Sequence, residues 1–167
     1  MSTHAPGPPR LPAPPVMQHP APRSSFGRIS VGVVGRVMMS VAEGPFDAAL
    51  MAAAKRAIAL AGKRLPADRR FGDMIEIRTS LQMDGDALAQ LRASIDAFGS
   101  RGIVAVSTVF LVPPGLPGIE RLPALMDIWR ASRPVRRADT FKAAWALVNA
   151  DLVAAGLPPQ DPPAPKT

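Results

Sequence analysis

Residues 73–91 read DMIEIRTSLQMDGDALAQL, and what this stretch folds into decides the architecture. With the preceding Phe71 and Gly72, its first part suits a strand in which Met74 (or Ile75) and Ile77 face a core. From Asp86 onward Leu88, Leu91, Ile95 and Phe98 recur every three or four residues, the apolar stripe of a helix that Gly99 ends. Between strand and helix, Asp84 and Asp86 flank Gly85. Two acids there suit a metal site, an acid/base pair, a phosphorylation switch or a helix cap. A calcium loop needs more oxygens at fixed offsets and a closing glutamate, and Leu88 breaks that pattern, so no metal site is expected. An acid/base pair lacks a nucleophile or histidine partner. A cap needs nothing further: Asp is a preferred N-cap, and each acid in the first turn gains about 0.3–1 kcal/mol from the helix dipole. The cap is the reading adopted.

Downstream, GIVAVSTVFLV (102–112) is a nearly continuous β-branched run, suited to a strand covered on both faces. The uncharged stretch 102–119 is long enough to span a bilayer, but Pro113, Pro114 and Pro117 make it a buried strand and a loop, and no transmembrane segment is expected. A third helix carries Leu122, Met126 and Trp129, with Pro123 in its first turn. PVRRA (134–138) is a short fifth strand. A last helix opens at Asp139 or Thr140 and buries Phe141, Trp145, Val148 and Leu152. Upstream, RISVGVVGRVMMSVAEG (28–44) reads as two strands turning near Val34–Gly35. GPF breaks that run, Asp47 caps a helix to about Ala61, and Gly62 supplies its left-handed stop. The order β-β-α-β-α-β-α-β-α predicts an α/β fold: a single mixed sheet of about five strands with about four helices, joined by right-handed crossovers.

The chain has 167 residues, enough for one domain of ordinary size. Proline sets its boundaries. Residues 1–25 hold eight of the 20 prolines and residues 157–167 hold five, so both ends are expected to be disordered tails around a body at 26–156. The N-terminus lacks the apolar core of a signal peptide. Both histidines, His4 and His19, lie in the first tail, and cysteine is absent. The body therefore lacks the commonest general base, and thiolate chemistry is excluded, so no enzymatic activity is expected. Cysteine absence fits the cytoplasm. Gly62–Lys63 lacks the upstream glycine and following Ser/Thr of a phosphate loop, the glycines at 27, 32 and 35 have no dinucleotide spacing, and no cofactor is expected.

Net charge is +7. Arg121, Arg130, Arg133, Arg136 and Arg137, with Lys142, form one basic group, and Lys63, Arg64, Arg69 and Arg70 form another. Such groups hold an anionic ligand, an acidic protein or a membrane surface, or simply make a solvated rim. Aromatic residues are only 5% and none interleaves with the arginines, so no specific nucleic acid is expected, only weak salt-sensitive attraction.

The passages GRVMMSVAEGPFD (35–47), DMIEIRTSLQMDGDALAQL (73–91) and VRRADTFKAAWALV (135–148) resemble the second strand, the third strand with its switch loop and second helix, and the closing strand and last helix of a STAS-like domain. This is the fold of anti-sigma factor antagonists and of the C-terminal parts of sulfate transporters, and the chain is most similar to the bacterial SpoIIAA-like group over about residues 28–152. Signalling members carry approximately Asp-Ser-Ser-Gly-Leu before the second helix, with a phosphorylated serine. Asp84-Gly85-Asp86-Ala87-Leu88 keeps the first Asp and the Leu but has no serine, leaving Thr79 or Ser80 as the nearby hydroxyls. The resemblance implies a non-enzymatic module that binds a protein partner through Thr79, Ser80, Asp84, Gly85 and Asp86. The alternative is a carrier of a small or lipid-like ligand, in an apolar pocket between sheet and helices near Pro113–Gly118.

Overall fold

The computed structural model describes residues 27–164. The expected tail at 1–25 lies outside them. Among the described residues the fold is α/β, with one mixed five-stranded sheet and four α-helices. β1 (Arg28–Val34) and β2 (Val37–Glu43) form an antiparallel hairpin that turns at Gly35–Arg36. At its open end Arg28 and Glu43 stand opposite each other and form a 2.8 Å ion pair. β3 (Gly72–Arg78), β4 (Ser107–Leu111) and β5 (Val135–Ala138) then add in parallel, giving the strand order 1-2-3-4-5.

This order fixes the layers. Each crossover moves one strand in the same direction, so right-handed connections put every crossover helix on the same face. α1 (Ala48–Gly62), α2 (Gly85–Ser100) and α3 (Leu122–Arg130) do share one apolar cluster with that face, through residues such as Leu50, Ala87, Phe110 and Trp129. Phe110 and Trp129 meet edge to face at 5.2 Å. α4 (Phe141–Ala154) follows the last strand and crosses to none, so it is free to cover the other face. Its Ala144, Trp145, Val148 and Leu152 pack on Val37, Met39, Met74, Val109 and Leu111. Phe141 is half-buried and stacks on Trp145.

With both faces covered, β4 is buried throughout, as its unbroken apolar run predicts. The same cover settles the ambiguity in β3. Met74 faces α4, whereas Ile75 and Ile77 face the crossover helices.

Three expectations need correction. Gly62 closes its helix without the left-handed conformation, and Gly99 does not end its helix. α1 ends at Gly62 in tight turns, with Arg64 N–H on the Ala61 carbonyl at 2.9 Å; α2 runs through Gly99 to Ser100, and the chain then turns at Gly102, whose φ of +70° lets Ile103 N–H return to the Phe98 carbonyl at 3.0 Å. The packed body also continues past 156. Leu157 is buried beside Leu152, and Gln160 docks on α4: its carbonyl accepts from Trp145 Nε1 (3.0 Å) and Asn149 Nδ2 (2.9 Å), and its N–H donates to Asn149 Oδ1 (2.7 Å). Its Oε1 accepts from Arg36 N–H at the hairpin turn (3.0 Å). Proline content pointed to solvated chain here; one glutamine with four hydrogen bonds to α4 and the hairpin turn ties it down.

Candidate functional site

The carboxyl ends of β2, β3 and β4 release three loops to one end of the molecule. They interlock through the backbone. Gly44 N–H reaches the Arg78 carbonyl (3.2 Å), Phe46 N–H the Gln82 carbonyl (2.8 Å), and Leu81 N–H the Pro117 carbonyl (2.7 Å). Phe46 and Met83 form a single parallel bridge. The loops touch so closely that a Cβ on Gly44 would lie 2.2 Å from the Ser80 carbonyl oxygen. Two helices start here. Asp47 Oδ1 accepts from Leu50 N–H (2.7 Å), and Asp84 Oδ1 accepts from Ala87 N–H (2.6 Å). Asp84 is thus the N-cap of α2, with Gly85 and the exposed Asp86 in its first turn.

Thr79 is exposed and held at φ +65°, a costly conformation for a β-branched residue. Its hydroxyl oxygen lies 2.7 Å from both the Gly44 and the Arg78 carbonyl, and its single hydrogen is directed to one or shared between them. Ser80 points inward, is buried, and accepts from Gln82 N–H (3.0 Å). Of the two hydroxyls near the expected switch position, only that of Thr79 belongs to an exposed residue. Beyond the cap, Leu88 stands 36% exposed one turn into α2, an apolar side chain beside the acids.

Asp47, Asp84, Gln82, Glu120 and Arg121 line an open cleft of about 440 Å³ at this end. Three acids and one arginine make it a locally acidic place on a basic protein. Arg121 alone of the expected basic group joins it, donating to the Met83 carbonyl (2.9 Å).

The other four arginines are dispersed. Arg130 pairs with Asp127 on α3 (2.7 Å). Arg136 and Arg137 are neighbours on a strand and therefore point to opposite faces. The first pairs with Asp151 of α4 (2.7 Å), the second with Asp139 (3.1 Å). Arg133 turns under the crossover helices toward Asp73, at the opposite end of the sheet. The structure brings no five-arginine surface together. The second basic group also lies at that far end, where Arg70 donates to the Ala155 carbonyl (2.6 Å).

Sequence reasoning missed Asp73. It is buried near the start of β3, and burial raises its pKa to about 6, against the lowering effects of Arg133 and of a hydrogen bond from Thr108. Its signal was available: an acid inside a strand covered on both faces has no route to water. Among the described residues no group of three or more His, Cys, Asp or Glu stands together as a metal site, and no helix is long and apolar enough to cross a membrane.

Comparison with protein-family models, with curated proteins and with solved structures finds no match in any of the three.

Proposed function

We propose that this chain is a STAS-like, SpoIIAA-like module that acts without catalysis in the bacterial cytoplasm by binding a protein partner through the surface of Thr79–Leu88. The observation that carries this reading is a loop whose backbone is pinned on three sides while Thr79, Gln82, Asp84, Gly85, Asp86 and Leu88 remain exposed. A pinned backbone loses little entropy on docking, so more of the contact energy is left for affinity. The topology supports the same reading. Ligand crevices in open α/β sheets form where strand order reverses and adjacent loops diverge to opposite faces. Order 1-2-3-4-5 contains no reversal, so the loops stay joined and present one face, notched by the open acidic cleft, that suits a macromolecule. Its acids call for a basic partner, with Leu88 as an apolar anchor.

Affinity capture from the native bacterium with wild type and Asp86→Lys tests this. Asp86 lies in the first turn but is not the cap, so the variant keeps the fold. Loss of a partner from the Asp86→Lys sample is the expected result; identical partner sets from both would overturn the assignment of the surface.

A further inference from the structure

A second site lies at the amino end of the sheet, independent of the loop surface. Between β2–β3 and the crossover helices is a partly open cavity of about 70 Å³. Most of its wall is apolar, with Met51, Ile58, Leu91, Ile95 and Phe98 prominent. Its position differs from the pocket expected near Pro113–Gly118, where Leu116 fills the core instead.

Two charged groups enter this apolar space. Asp73 is buried, and Thr108 Oγ1 donates to its Oδ2 (3.1 Å). Arg133 contributes a buried Nε that has no hydrogen-bond partner among the described residues. Although both line the cavity, the two side chains form no ion pair with one another. Buried donors left unpaired are uncommon, and a guanidinium presents parallel N–H groups that match a carboxylate.

We propose that this cavity binds a small carboxylate with a short apolar tail, the head taken by Arg133 and the tail by the surrounding aliphatic and aromatic side chains. Size limits the tail. Room for roughly five waters, at about 10–15 Å³ each, admits an acid of about four carbons. Charge selects the head. Lys55 stands at the rim and Arg133 inside, against the single acid Asp73; the other polar side chains lining the cavity are the hydroxyls of Ser40 and Ser94, and Thr108 meets Asp73 from the neighbouring strand. An amine would face two cations, and an alcohol would leave the guanidinium short of an acceptor. Below about pH 6 Asp73 holds its proton and donates to the bound head; above that it is an anion and repels it.

The test is an NMR titration of the full-length protein with butyrate, butylamine and 1-butanol, following methyl signals of Met51 and Ile95. Expected are saturable shifts with butyrate, at least about tenfold weaker binding of the amine and the alcohol, and a similar loss in Arg133→Met. Wild type binds butyrate several-fold more tightly near pH 5 than near pH 8, and Asp73→Asn binds with that pH dependence flattened. No saturable shift up to about 50 mM butyrate, equal binding of butanol, or full affinity in Arg133→Met would overturn the proposal. Should Arg133→Met fail to fold, Asp73→Asn decides: pH dependence that persists in it overturns the proposal, and its loss with retained binding supports it.

Discussion

Thr108 on β4 donates a 3.1 Å hydrogen bond to Asp73 on β3, and both residues are buried. The threonine favours the ionised acid, as does Arg133, yet desolvation outweighs both and the carboxyl titrates near 6 instead of 3.8. The native state therefore binds more protons than the unfolded chain between those two values. Asp73 stabilises the fold most in acid and loses that contribution as pH rises through about 6, the reverse of an ordinary surface carboxylate. The expected loss is on the order of 2–3 kcal/mol. Asn keeps the acceptor for Thr108 without the charge. Urea denaturation of Asp73→Asn should show higher stability than wild type near pH 8 and a difference that shrinks toward pH 4. A gap of equal size at both ends would show that the carboxyl is not the titrating group.

The acids of the α2 start have unequal roles. Asp84 satisfies Ala87 N–H, and Asp86 only faces the helix dipole. Asp84→Ala is expected to cost about 1 kcal/mol, within a range of 0.5–2. Asp86→Ala is expected to cost less, about 0.3–1 kcal/mol, and to lose that effect in high salt. Denaturation midpoints at low and high ionic strength separate the two; a salt-sensitive Asp84 loss equal to that of Asp86 would contradict the cap.

The segment after α4 is part of the fold. Ending the chain at Gly156 removes Leu157 from its apolar contacts and leaves Trp145 Nε1 without its acceptor. Burial of one leucine is worth about 1.5–3 kcal/mol, and an orphaned buried donor costs about 1–3. The truncated protein should unfold at clearly lower denaturant than the full chain, with red-shifted tryptophan emission before the transition. Matching curves would mean that Gln160 and Leu157 contribute nothing.

What the sequence revealed divides by distance along the chain. Caps involve three or four consecutive residues, so Asp47, the Asp84–Asp86 pair and the Asp139–Thr140 start were readable as helix openings; the structure makes Asp47, Asp84 and Thr140 the caps. Helix stops are less local. Gly99 is tolerated inside α2, and whether a glycine ends a helix depends on where the following chain must go, here Ile103 turning back to Phe98. Strand faces blurred where both are buried, because alternation vanishes: Met74 and Ile75 are both apolar and both right. Arginine clustering in sequence does not carry over into space, since period-two alternation separates Arg136 from Arg137 and their acids come from different elements. Asp73 and Arg133 lie 60 residues apart, and no local pattern announces that they face one cavity. The interlocked loops at Gly44, Leu81 and Pro117 are likewise tertiary, although the placement of Asp84, Gly85 and Asp86 on an exposed helix start was legible.

The unreversed strand order bears on how the chain is born. Each strand joins its immediate predecessor, so the sheet lengthens at one margin as synthesis proceeds, and the crossover helices clothe their side as they emerge from the ribosome. The opposite side, with Val37, Met39, Met74 and Val109, stays bare until α4 arrives at the very end. Stalled or prematurely terminated translation would thus leave a half-dressed sticky slab, a natural target for chaperones.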